Sequence, residues 1–185
     1  MPTTTARERR LWFGVLVALA AIWATLPLAG VLTELLREFR PMVDGAFALA
    51  FFTLLGSMAA LALTRRRGLR ELWALLGIGL IFGMTFLRVS IPERTHLFEY
   101  GLVAVLINEA LLERREVGRS ALRPAILAIA LTAVLGLFDE LVQSVLPDRV
   151  FDPIDIGFNA IAGLMTVGAS VVLRWARGLD RRRTR

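Results

Sequence analysis

Three short stretches of this chain carry acid–base side chains at helical spacing. "THLFEYG" holds the only histidine and places His96, Glu99 and Tyr100 at i, i+3 and i+4, on one side of a helix. "LFDELVQ" sets Asp139 beside Glu140, with Gln143 one turn beyond Asp139, and "FDPIDIGFNA" repeats Asp152, Asp155 and Asn159 at about one turn. An imidazole and carboxylates so placed suit general acid–base chemistry, which makes His96, Glu99, Asp139 and Glu140 the candidate catalytic groups. Tyr100, Gln143, Asp155 and Asn159 are candidate substrate contacts, with the guanidiniums of Arg88 and Arg149 available to hold an anionic group. The same acids with His96 also suit a hard or borderline cation. With one His and no Cys that chemistry ranks last, so no metal ligand is assigned and the cofactor is left unknown.

Each residue also has a plainer reading. Asp152, Pro153 and Asp155 form an N-cap, a proline at the first helical position and an acid near the positive helix end. Tyr100 reads equally as an interfacial belt aromatic, like Trp12 and Trp175. Asn159 reads as a hydrogen bond between helices, and His96 as a polar residue at a helix start. Asn108 and Glu109 are expected to reach headgroups at the far end of their helix, and stay outside the site. Asp139 and Glu140 resist such readings, because adjacent carboxylates well inside an apolar run need partners or a bound cation.

The elements that must position these groups are apolar. Of 185 residues 56% are hydrophobic, mean hydropathy is +0.64, and all 22 basic residues are arginines lying between long apolar runs. A nucleic-acid surface would interleave basic and aromatic residues along one face, so that class of partner is excluded. At roughly 20 apolar residues per crossing, six spans are expected: Leu11–Leu32, Val43–Leu63, Leu72–Val89, His96–Leu112, Pro124–Leu146 and Ile154–Trp175. The first reads as a retained helix rather than a cleaved signal, since its apolar stretch continues to Thr33, long enough to span, and lacks a clear A-x-A cleavage site. The expected fold is an all-α, polytopic transmembrane bundle.

Orientation follows from the arginines. Seventeen lie before the first span, between the second and third, between the fourth and fifth, and after the sixth; Arg37, Arg40, Arg88, Arg94 and Arg149 lie on the other side. Short cytoplasmic loops retain positive charge, which puts both termini in the cytoplasm. The start of the fourth span, the end of the fifth and the start of the sixth then share the outer leaflet. Asp139 and Glu140 would sit roughly 10 Å inside it, at 1.5 Å per residue, and the three stretches would line one outward-facing site.

H-x-x-E-Y at His96, D-E-x-x-Q-x-x-x-P-x-R from Asp139 to Arg149 and D-x-x-x-N from Asp155 to Asn159 resemble the VanZ-like family, small bacterial integral membrane proteins named for a teicoplanin-resistance determinant. The resemblance covers residues 72–175, a four-helix core, and leaves residues 1–71 as two additional helices and 176–185 as a basic cytoplasmic tail. Pro92, Glu93 and Arg94 stand where members often carry an acid and a lysine. It implies an envelope role in the bacterial cytoplasmic membrane, with antibiotic resistance attributed to some members, and membrane lipids as partners. Within it four readings compete: an enzyme acting on an envelope lipid or cell-wall precursor; a transporter or binder of a headgroup, glycopeptide or cation; a metal site; and a cluster that only knits the bundle together.

Overall fold

A computed structural model describes residues 5–46, 48–49, 52–53, 69–88, 91–114, 122–146 and 151–183. Every regular element among them is helical: α1 (Ala6–Thr25), a 3-10 turn (Leu26–Leu28), α2 (Ala29–Glu38), the helical residues of α3 (40–46, 48–49 and 52–53), α4 (Leu69–Arg88), α5 (Ile91–Glu113), α6 (Leu122–Gln143) and α7 (Pro153–Arg183). Four stretches are long and apolar enough to cross a membrane: Ala6–Leu28, Arg94–Glu113, Arg123–Gln143 and Pro153–Ala176. α4 covers most of the expected third span, whereas most of Val43–Leu63 lies outside the described residues.

Local chemistry sets the boundaries. α1 begins earlier than its apolar run because Thr5 and Glu8 cap it, the Thr5 Oγ1 accepting the Glu8 backbone N–H at 3.0 Å. The expected continuous first span is broken at Pro27, which has no N–H to give and whose ring crowds the preceding turn. α6 stops at Gln143 rather than Leu146, its last residues forming turns. α7 starts as expected, with the Ile154 N–H donating to the Asp152 Oδ1 at 2.8 Å. It then continues to Arg183, so much of the expected basic tail is helix.

The described helices are apolar outside and bury polar side chains along with an apolar core. Phe13, Leu16, Leu80, Ile81, Phe98, Leu102, Ile126, Val134, Leu164 and Val172 are all exposed, while Asp139, Glu140, Asn159 and Gln143 are at most 2% exposed. An exposed apolar surface spread over five helices fits a lipid solvent, not water. α5 packs against α1, α6 and α7, and α7 against α4, α5 and α6. Their shared core joins Val15, Leu19 and Ile22 of α1 to Val103, Ala104 and Ile107 of α5, with Ala125, Ala128 and Val167.

Small residues let the site-bearing helices approach. A Cβ on Gly136 would lie 2.6 Å from the Asn159 Cβ, one on Gly163 would lie 3.3 Å from Thr132, and one on Gly101 would lie 3.0 Å from the Thr166 hydroxyl oxygen. Where association gains nothing from expelling water, such close backbone contact supplies the attraction.

Candidate functional site

The start of α5, the end of α6 and the start of α7 meet at one end of the bundle. The Gln143 amide bridges the adjacent acids of its own helix, its Nε2 donating to the Asp139 Oδ2 at 3.0 Å and to the Glu140 Oε1 at 3.2 Å. A side-chain amide has two N–H donors, one for each carboxylate. The other Glu140 oxygen, Oε2, accepts the Asp152 backbone N–H at 3.0 Å, which ties the end of α6 to the cap of α7. From α5, the His96 Nε2 reaches the Asp155 Oδ2 at 3.5 Å. His96, Glu140 and Asp155 each bring one ligand-type atom to within 4.8 Å of the others.

Burial grades across this centre. Asp139, Glu140, Asn159 and Tyr100 are fully buried, His96 is 7% exposed, and the Asp155 side chain forms the rim at 22%. The Tyr100 ring lies nearly parallel to the imidazole at 6.4 Å, and its hydroxyl donates to the Leu135 carbonyl at 3.4 Å. Such burial excludes the belt position for Tyr100. Asp139 has His96, Tyr100 and Trp23 as electrostatic neighbours. The Tyr100 hydroxyl and Trp23 indole N–H face Asp139 at the outer limit of hydrogen bonding. Among the described residues, His96 Nδ1 and both amide atoms of Asn159 have no hydrogen-bond partner, nor does Asn108 Oδ1 at the far end of α5. Most buried polar side-chain atoms in folded proteins are partnered, which sets these apart.

No protein-family model matches the chain, and no curated protein or solved structure matches it either. The geometry therefore carries the functional reading alone.

Seven of the residues singled out by spacing converge here: His96, Tyr100, Asp139, Glu140, Gln143, Asp155 and Asn159. Glu99, also singled out by spacing, is half-buried and within electrostatic reach of Asp139, and forms no ion pair with His96 among the described residues. The Arg94 guanidinium turns to Asp44 of α3. Arg149 lies outside the described residues, as does the side chain of Arg88, the last residue of α4. Trp23 was not anticipated, because a tryptophan within the apolar run of α1 reads as lipid-facing. Its ring packs 5.4 Å from Phe138, and its indole N–H is directed inward.

The opposite end of the bundle is built from ion pairs. Arg7 binds Glu113 at 3.0 Å and Glu109 at 3.6 Å, Arg174 also binds Glu109, and Arg114 lies 3.8 Å from the buried Glu8. Asn108 is 1% exposed, turned inward by the packing of α5 between α1 and α7, so its expected reach to headgroups is corrected. Glu109 stays partly exposed and is held by two arginines.

Proposed function

We propose that this chain is a VanZ-like integral membrane protein of six spans with both termini in the cytoplasm, and that its polar centre faces the outer leaflet of a bacterial cytoplasmic membrane. The centre receives the polar part of an envelope component: a lipid headgroup, a cell-wall precursor or a glycopeptide. The observation that carries this reading is the fully buried Asn159 side chain, both of whose amide atoms lack a partner among the described residues, one turn along α7 from the rim residue Asp155. A cluster serving only to hold the helices together would give those atoms partners, since each unpaired buried group costs about 1–3 kcal/mol. A bound polar ligand repays that cost.

Two further features support it. The site lies at the end opposite the ion pairs of Arg7, Arg114 and Arg174, and counting all the arginines makes it the outer end by the positive-inside rule. Between α4, α5 and α7, a small cavity of about 60 Å³ is lined by Phe82, Leu97, Phe98, Ala162 and Met165. Its apolar walls suit hydrocarbon rather than a headgroup, as the flank of a lipid site would. The His96–Asp155 pair, with Glu140 beside it, has the composition of an acid–base centre.

Native mass spectrometry of the purified protein, compared with Glu140→Gln, tests the reading. A defined polar lipid or precursor is expected on the wild type and reduced occupancy on the variant. Absence of any ligand on the wild type, or equal occupancy on a folded variant, would count against it.

A further inference from the structure

We propose that His96, Glu140 and Asp155 together bind one divalent cation of the zinc or manganese type. This inference rests on reading the polar centre as a ligand site, and names the ligand that organises it.

The three residues come from three helices, α5, α6 and α7, yet offer one nitrogen and two carboxylate oxygens within 4.8 Å of one another. Around a cation with bonds of about 2.0–2.2 Å, neighbouring ligand atoms stand roughly 3.0–3.5 Å apart. The His96–Asp155 separation of 3.5 Å already meets that spacing, and the trio needs only a small contraction. The outer shell is in place: both Glu140 oxygens are oriented, one by the Gln143 amide and one by the Asp152 backbone N–H. Such secondary contacts fix ligand direction in metal centres.

A second, independent observation points to a ligand. Asn159, fully buried one turn from Asp155 on α7, leaves both side-chain amide atoms without a hydrogen bond among the described residues. Buried polar groups of this kind in an apolar bundle mark a place for a bound partner. Asp155, at the rim, provides an entry path, and three protein ligands leave open positions for an oxygen of the bound headgroup. One imidazole with two carboxylates favours borderline ions over the all-oxygen sites of Mg²⁺ or Ca²⁺, and the chain has no Cys for soft thiolate chemistry.

The test uses the full chain, purified without a histidine tag, stripped with EDTA and titrated with Mn²⁺ under electron paramagnetic resonance. One Mn²⁺ per chain is expected, displaced by Zn²⁺, with a nitrogen coupling that can come only from His96, the sole histidine. Glu140→Gln and Asp155→Asn should each weaken binding tenfold or more, and Glu109→Gln, at the other end, should not. Should the site variants fail to fold, the wild-type spectrum still decides. Absence of stoichiometric binding, or binding without nitrogen coupling, would overturn the proposal. A polar lipid that stays bound after EDTA in a protein that takes up no Mn²⁺ or Zn²⁺ overturns the cation and leaves the headgroup reading standing; loss of both removes both.

Discussion

Gln143 is the residue on which the acidic pair depends. Its one amide supplies a donor to Asp139 and another to Glu140, so Gln143→Leu strands two buried acceptors at once. At about 1–3 kcal/mol for each stranded group, the variant should lose several kcal/mol, read as a lower unfolding midpoint in mixed micelles followed by tryptophan fluorescence. Gln143→Glu should be worse, because a third carboxylate replaces the donors. This role was half legible beforehand: the i, i+4 spacing placed Gln143 beneath Asp139, but a residue pattern does not say that the same nitrogen also reaches Glu140. The Asp152 cap was fully legible, since its chemistry is local and needs no knowledge of neighbouring helices. Trp23 was not, because indole burial depends on how α1 is rotated against α6, and an apolar run looks alike from every side.

Among the helices, α6 and α7 are held together by what Gly136 lacks. With only 2.6 Å between a Cβ at this position and that of Asn159, Gly136→Ala must push the two backbones apart. The expected loss is about 1–3 kcal/mol, the usual range for overpacking, together with weaker ligand occupancy, because Asp139 and Asp155 separate with their helices. Gly157→Ala is the matched comparison: nothing lies within 4 Å of its Cβ, so the better helix former should leave stability unchanged or slightly raised. Thermal unfolding of both variants in the same detergent checks the contrast. The existence and order of the long apolar helices α1, α4, α5, α6 and α7 were readable from apolar run length, whereas α2, whose charged residues interrupt any apolar run, was not. Their ends were readable only where a cap or proline announced them, as at Thr5, Pro27 and Asp152. The ties of Arg94 to Asp44 and of Glu109 to Arg174 join residues far apart in sequence, and nothing local encodes such pairs.

Across the whole molecule, acids gather at one end and arginine–carboxylate pairs close the other. Because the chain contains no cysteine, single substitutions report its orientation cleanly. Ser144→Cys, exposed beyond α6 near the polar centre, should react with an impermeant thiol reagent in intact cells; Arg123→Cys, exposed at the other end of α6, should react only after permeabilisation. The reverse pattern would invert the bundle. The two polar ends are also close together. From Asn159 to Arg174 along α7 is about 22 Å, and from His96 to Glu109 along α5 about 20 Å, at 1.5 Å per residue. A typical hydrocarbon core is about 30 Å thick. The lipid-facing surface is wider than this buried spacing: exposed apolar side chains on α7 run from Ile154 to Trp175, about 32 Å. The polar centre therefore lies inside the apolar band, and a bilayer of ordinary thickness surrounds the bundle without having to compress.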